Sequence, residues 1–108
     1  MPDVQSERVL ELVVFKVKDG VTREQLLGTV DAVSNWAKTQ PGFLTRDLCY
    51  AAEQDRWIEV IWWRSLADAE AAAEAATSSE SCAPMFSLIN MESAPMWHGV
   101  PVIETVSS

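Results

Sequence analysis

The stretch RWIEVIWWR, residues 56–64, decides the fold, because large apolar side chains occupy both of its alternating positions. Successive side chains of a β-strand point to opposite faces of the sheet, so neither face of this strand would be polar. A strand with one face in water would alternate apolar and polar residues. We therefore predict that both faces of the sheet are buried. The two apolar sets are Ile58, Val60 and Trp62 on one face, and Trp57, Ile61 and Trp63 on the other.

Strands and helices alternate on either side of this stretch. Two helix starts are marked by capping residues, Thr22 with Gln25 three positions later and Ser65 with Asp68. The order of the predicted elements is βαββαβ. These elements are a strand over Arg8–Lys18, a helix from Thr22 to about Lys38, strands over Phe43–Ala51 and Arg56–Arg64, an alanine-rich helix over Leu66–Ala76, one or two helical turns over Cys82–Ile89 and a strand over Ala94–Glu104.

This order predicts a ferredoxin-like α+β fold, in which a four-stranded antiparallel sheet carries both helices on one face. The 108 residues suffice for a single domain over residues 1–108, with an ordered core at about 8–104. No further element remains to cover the second face of the sheet. We predict that a second copy of the chain covers it, which makes the protein a homodimer, a dimeric α+β barrel.

Composition narrows the class of partner. Sixteen acidic and eight basic residues give a net charge of -8, which would repel nucleic acid and anionic membrane surfaces. Neither a membrane-length apolar run nor an apolar signal core is present, so a cytoplasmic location is expected. Two cysteines without a CxxC pair and a single histidine offer no closed ligand set for a metal. No GxGxxG or GxxxxGK[ST] pattern occurs, so we expect no nucleotide or flavin cofactor.

Three motifs in the middle of the chain carry a resemblance to a known family. They are Pro41-Gly42-Phe43 before a strand, the strand Trp57–Trp63, and Arg64-Ser65-Leu66 before the alanine-rich helix. Together they resemble the dimeric α+β barrel proteins of the antibiotic biosynthesis monooxygenase (ABM) type, over Val9–Val102. The resemblance implies the fold and the dimer. Such proteins include cofactor-independent monooxygenases that oxidise flat polycyclic phenols, haem-degrading enzymes and proteins without a known activity. Their helix after the tryptophan motif often carries a histidine, whereas this chain has only Ala, Asp and Glu between Leu66 and Ala76.

The alanine-rich helix marks a candidate cavity. Towards the sheet it would present only methyl groups, from Ala69, Ala72, Ala73 and Ala76, and small side chains either allow close packing or leave a void. The five tryptophans supply flat side chains for the walls of such a void, with core and interface positions as the alternative. The residues expected to bind a small apolar or aromatic ligand there are Trp36, Trp62, Trp63, Met85 and Phe86, with strand parity deciding between Trp62 and Trp63.

The polar groups expected at this site are His98 and Tyr50, the only histidine and the only tyrosine. An imidazole can act as a general base, and a phenol can donate a hydrogen bond to a substrate oxygen. Hydrogen bonds within a strand or an interface are the structural alternative for both residues. Haem needs just one axial ligand, so His98 leaves haem binding open.

Two carboxylates, Glu11 and Glu59, interrupt apolar strands on the parity of their apolar neighbours. Burial would raise their pKa and make them proton acceptors near neutral pH. Ion pairs across an interface are the structural alternative. The arginines considered for such pairs are Arg46, Arg56 and Arg64.

Two functional hypotheses follow. In the first, the protein is a cofactor-independent monooxygenase that acts on a flat aromatic small molecule, with His98 as the base. In the second, it is a non-catalytic dimeric barrel that binds a small hydrophobic ligand. The sequence names no substrate for either hypothesis.

Overall fold

The structure, a computed structural model, describes residues 8–107, so residues 1–7, which precede the expected ordered core, lie outside the described residues. The elements follow the predicted order, except that the first helical region is divided in two and a short 3-10 helix precedes the last strand. They are β1 (Val9–Phe15), α1 (Arg23–Leu27), α2 (Val30–Lys38), β2 (Phe43–Ala51), β3 (Arg56–Trp63), α3 (Leu66–Ala76), α4 (Ala83–Leu88), a short 3-10 helix (Met91–Ser93) and β4 (Met96–Gly99).

The four strands form one antiparallel sheet in the order β2-β3-β1-β4, which confirms the ferredoxin-like α+β prediction. In the β1–β3 ladder Val9 lies opposite Trp63 and Phe15 opposite Trp57. These four side chains are buried against the helices, so they define the inner face of the sheet. The alternate residues of both strands point to the outer face, on which no helix of the described chain packs.

The first helical region is interrupted, where the sequence predicted one continuous helix from Thr22 to about Lys38. The start is as predicted, because Thr22 and Gln25 form a reciprocal capping box. The interruption falls at Gly28 and Thr29. The Thr29 amide and hydroxyl both donate to the carbonyl of Leu26, at 2.9 and 2.7 Å, which tightens the backbone into a turn before α2 begins.

The last strand is shorter than predicted, since β4 covers Met96–Gly99 rather than Ala94–Glu104. Proline has no N–H to donate to a ladder, and Pro95 and Pro101 stand on either side of the strand. The four residues of β4 pair only with β1, and His98 lies opposite Glu11. The strand β4 therefore lies at the edge of the sheet, the position that its flanking prolines allow.

The core lies between the inner face of the sheet and the helices. One cluster of buried side chains gathers around Phe15, Leu26 and Trp57, and a second around Ile61 and Trp63 under α3. The half-buried Trp36 of α2 packs against both clusters and joins them. Among residues 8–107, no helix has the length and apolar composition that a membrane crossing would require.

Gly42, immediately before β2, lies close to Asp68 of α3. Its φ of +82° is in the left-handed region that favours glycine, and its carbonyl accepts a hydrogen bond from the Arg64 amide at 2.9 Å. A Cβ on this residue would lie 2.2 Å from Oδ2 of Asp68 and 2.7 Å from its Cβ. Because the Asp68 Cβ is fixed to the helix, no rotamer change relieves this contact.

We expect Gly42→Ala to destabilise the fold more than Gly20→Ala. Gly20 has a nearly identical φ of +84°, but a Cβ there would have no heavy atom within 4 Å. The control should lose about 1–2 kcal/mol for the left-handed backbone, and Gly42→Ala should lose a further ~1–3 kcal/mol because α3 must move. Urea unfolding of both variants measures the difference. Equal losses would show that the β2–α3 contact is not tight.

Candidate active site

A cavity of about 370 Å³ lies between the inner face of the sheet and the helices. Its floor includes Glu11 and Glu59, one from β1 and one from β3. Its roof is α3, which contributes only the methyl groups of Ala72, Ala73 and Ala76. Larger side chains at these three positions would fill the space, so the alanine-rich sequence of α3 is the direct cause of the void. The structure thus places a cavity where the sequence indicated one.

Four of the five predicted ligand-binding residues line this cavity: Trp36, Trp63, Met85 and Phe86. Trp36 comes from α2, whereas Met85 and Phe86 come from α4. Trp63 lies on the inner face of β3, whereas the preceding residue, Trp62, lies on the outer face. Aromatic and thioether side chains make the walls apolar and flat, which suits a planar ring system.

Trp62 and Tyr50 lie outside the cavity. Trp62 points to the outer face of the sheet, where its ring centroid is 3.9 Å from Cζ of Arg8. Tyr50 lies near the end of the edge strand β2 and is exposed, and its hydroxyl donates to Oδ1 of Asp55 at 2.8 Å. Side-chain parity explains the position of Trp62, and the edge position of β2 explains that of Tyr50.

His98 does not line the cavity but contacts a residue that does. Its Nε2 lies 3.5 Å from Oε1 of Glu11, across the β1–β4 ladder. This separation allows an ion pair when the imidazole is protonated, yet it is not a good hydrogen bond. Nε2 is buried and has no hydrogen-bond partner among the described residues. The connection of His98 to the cavity is therefore indirect, through its contact with Glu11.

Glu11 is the polar residue that best fits a catalytic role. It is only 7% exposed, and Trp63 donates a hydrogen bond from Nε1 to its Oε1 at 3.2 Å. Burial raises the pKa of Glu11, and the nearby charge of Glu59 adds to the increase, while the contacts with His98 and Trp63 oppose it. Both contacts involve Oε1, and no hydrogen bond of the described residues reaches Oε2. One oxygen is thus held in place and the other is available to a ligand.

Glu59 is paired within the chain, not across an interface. Nε of Arg46 donates to its Oε1 at 2.5 Å, and Nη2 of Arg46 donates to Oε2 at 3.0 Å. The Arg46 side chain is 4% exposed and also donates through Nη1 to Oγ of Ser34 at 2.8 Å and to the carbonyl of Val30 at 3.2 Å. This bidentate pair joins β2, β3 and α2. Of the other arginines considered, Arg56 donates to backbone carbonyls of its own turn, and Arg64 is exposed.

The sequence patterns did not single out Cys82 and Met96 as cavity residues, although both line it. Burial raises the pKa of the Cys82 thiol, so this side chain is an uncharged part of the wall at neutral pH. Helical spacing would have placed Cys82 beside Met85, three positions away. Met96 follows from the β1–β4 register, which the sequence alone does not provide.

We expect the wild type to lose stability relative to Glu11→Gln as the pH rises above 4.5. Because the pKa of Glu11 is raised from 4.5, the folded state holds this proton more tightly than the unfolded chain, and ionisation costs stability. The loss of stability ends when the pH exceeds the pKa of Glu11 in the folded state. It amounts to about 1.4 kcal/mol for each unit by which the folded-state pKa exceeds the unfolded-state pKa. Urea unfolding across this pH range measures it.

Glu70→Gln is the matched control, because Glu70 lies on the exposed side of α3. The stability of Glu70→Gln should change with pH in the same way as that of the wild type. A wild type that gains stability relative to Glu11→Gln over the same range would mean that Glu11 does not have a raised pKa.

Comparison with known proteins gives fold relatives only. No family model matches the sequence, and no curated protein sequence matches it. Among solved structures, a monooxygenase from the gene ActVA-Orf6 of Streptomyces coelicolor, in complex with nanaomycin D, is 17% identical with a TM-score of 0.66; the match covers 99% of this chain and 100% of that one. SnoaB, a cofactor-independent oxygenase from Streptomyces nogalater, is 13% identical with a TM-score of 0.64, over 93% and 96% of the two chains.

A protein from Chloroflexus aurantiacus described as an antibiotic biosynthesis monooxygenase is 17% identical, with a TM-score of 0.64 over 93% of this chain and 98% of that one. These similarities confirm the resemblance of fold that the proline-glycine-phenylalanine and tryptophan motifs indicated. At such low identity these similarities show the fold alone. The chemistry has to be inferred from the residues of the cavity.

Proposed function

We propose that this chain, which has the fold of the ABM-like proteins, is a cofactor-independent monooxygenase that oxidises a flat aromatic phenol with molecular oxygen. The observation that carries the proposal is a carboxylate of raised pKa, Glu11, on the floor of an otherwise apolar cavity of about 370 Å³. Such a site can bind a planar ring and remove one proton from it. Those are the two tasks that the protein performs in this chemistry.

The size and walls of the cavity fit a ligand of two or three fused rings. Its volume is in the lower part of the range that is typical of small-molecule sites, about 300–1,000 Å³. Trp36, Trp63 and Phe86 offer ring faces or edges, and Met85 adds a polarizable thioether. The alanines of α3 leave the space beneath the helix open. Binding is therefore driven mainly by burial of apolar surface.

Glu11 is the proposed proton acceptor. The hydrogen bond from Trp63 fixes one carboxylate oxygen, so the other can accept the hydroxyl proton of the phenol. A raised pKa makes the ionised carboxylate a stronger base than an ordinary glutamate. The protonated carboxyl then donates a hydrogen bond back to the phenolate. His98 lies 3.5 Å from Oε1 of Glu11 and acts on the reaction only through that carboxylate.

Molecular oxygen supplies the oxidising power. The phenolate shares its negative charge with ring carbons, and the electron pair of one of them forms a C–O bond to oxygen. Glu11 returns its proton to the resulting peroxide, which becomes a hydroperoxide. The Glu11 carboxylate then takes the proton from that carbon as the O–O bond breaks, and the expelled hydroxide combines with that proton to give water and leave a quinone. Overall, one phenol and one oxygen molecule give one quinone and one water.

Two relatives of the same fold support this choice over other enzyme classes. One is a monooxygenase solved with nanaomycin D, and the other is a cofactor-independent oxygenase. The alternative, a non-catalytic barrel that binds a small hydrophobic ligand, needs the same cavity but not a basic Glu11. Measurements of ligand binding and of oxygen uptake therefore distinguish the two functions.

We expect polycyclic phenols to quench the tryptophan fluorescence of the protein and to be oxidised with oxygen uptake. Glu11→Gln should retain binding and lose at least ~100-fold in kcat, which is typical of a lost general base. His98→Ala should slow turnover less, because it acts through Glu11. Glu74→Gln, on the exposed side of α3, is the control and should match the wild type. Binding without oxygen uptake would establish the non-catalytic alternative.

We further propose that the functional unit is a homodimer built on the outer face of the sheet. Leu12 on β1 and Val60 on β3 lie opposite each other there, and Trp97 on β4 lies on the other side of Leu12. Trp97 is 56% exposed in the single chain. A continuous apolar sheet face is unfavourable in water, and packing against a second copy would bury it. Both cysteines are free thiols, which fits the reducing cytoplasm that we propose as its location.

Leu12→Glu should weaken the dimer at least ~100-fold, because it would bury an unpaired carboxylate at the centre of the contact. The control is Ala71→Glu, which adds the same charge on the exposed side of α3. Sedimentation over a concentration series should show a dimer for the wild type and the control, and a folded monomer for Leu12→Glu. A monomeric wild type would refute this proposal without affecting the chemistry of the cavity.

A further inference from the structure

The charges around the cavity are of one sign. Among the described residues that line it, the charged side chains are Glu11 and Glu59, and there is no lysine, arginine or histidine. The remaining lining residues are apolar, apart from Thr77 and the uncharged thiol of Cys82. A ligand in this space therefore meets carboxylates on the floor and hydrocarbon or sulfur elsewhere.

The nearest cation is already fully engaged. Arg46 lies beside Glu59 on the inner face of the sheet and uses Nε and Nη2 for the two carboxylate oxygens. Its Nη1 donates to Ser34 and to the carbonyl of Val30, while Nη2 also lies 3.7 Å from Sδ of Met85. No direction remains from which a ligand carboxylate could reach the guanidinium while Glu59 is in place. The arginine thus neutralises Glu59 but offers nothing to an anionic ligand.

We infer that this cavity selects uncharged phenols and rejects analogues that carry a carboxylate, and that Glu59 is the residue that sets this specificity. The inference rests on the proposed function, because it concerns the substrate of the same site. An anionic ligand would lose its hydration and gain no counter-ion in the cavity. It would also lie beside Glu11, which has no arginine partner and whose negative charge repels it. Glu59 occupies the Arg46 guanidinium and so keeps that counter-ion from the ligand.

Glu59 has a second effect, because it masks a positive charge. Removal of its carboxylate, with the shape of the side chain retained, would leave the Arg46 guanidinium without its counter-ion beside the cavity floor. The site would then contain a buried cation that needs an anion. The substitution therefore frees a cation for a ligand carboxylate, and the preference for uncharged ligands should be lost.

The test compares two ligands that differ only in charge, a hydroxynaphthamide and the hydroxynaphthoate with the same ring positions. Titration calorimetry of the wild type at neutral pH should show binding of the amide and at least ~tenfold weaker binding of the carboxylate. Glu59→Gln should bind the carboxylate more tightly than the wild type does, by at least ~tenfold. Glu70→Gln removes the same charge from the exposed side of α3 and should retain the wild-type preference.

Equal binding of the amide and the carboxylate by the wild type would overturn the inference and leave the proposed monooxygenase standing. This comparison decides the matter even if Glu59→Gln fails to fold. Failure of both ligands and of the polycyclic phenols to bind would instead refute the proposed function itself. A folded Glu59→Gln that still rejects the carboxylate would remove Glu59 as the specificity determinant.

Discussion

The structure depends on a mismatch between an apolar sheet and the helices available to cover it. Both alternating positions of β1 and β3 are apolar, whereas the helices of the chain lie on one face only. On the covered face, the small side chains of α3 do not fill the space above the sheet, and the cavity results. On the other face, the apolar surface remains for a second copy. The apolar pattern of the strands thus accounts for the fold and for the proposed dimer, and the alanines of α3 account for the void.

The chemistry of the site depends on two carboxylates that share one face of the sheet but have different environments. Glu59 accepts two hydrogen bonds from one arginine, in a bidentate pair. Glu11 has no such cation, and burial raises its pKa. A fixed charge beside a titrating carboxylate raises that pKa further. The division of roles follows from the position of Arg46 on β2, which reaches β3 but not β1.

Much of this arrangement could be predicted from the sequence. The parity of β3 and the capping residues predicted the element order, and the alanines of α3 indicated the cavity. The sequence could not choose between Trp62 and Trp63, because that choice requires knowledge of which face the helices cover. It did not place Tyr50 relative to the cavity, because the hydroxyl of this residue donates to Asp55 in the following turn. The contact of His98 with Glu11 depends on the register between the first and the last strand, and contacts so distant in sequence leave no local pattern.

The most direct test is a crystal structure of the protein with a bound polycyclic phenol. We predict that the rings lie between α3 and the sheet, against Trp36 and Trp63, and that the hydroxyl oxygen is within hydrogen-bonding distance of the Glu11 carboxylate. A ligand bound elsewhere, such as in the groove beside Trp62 on the opposite face, would contradict the assignment of the cavity as the active site. A phenol in the cavity whose hydroxyl points away from Glu11 would contradict the role of that carboxylate as the base.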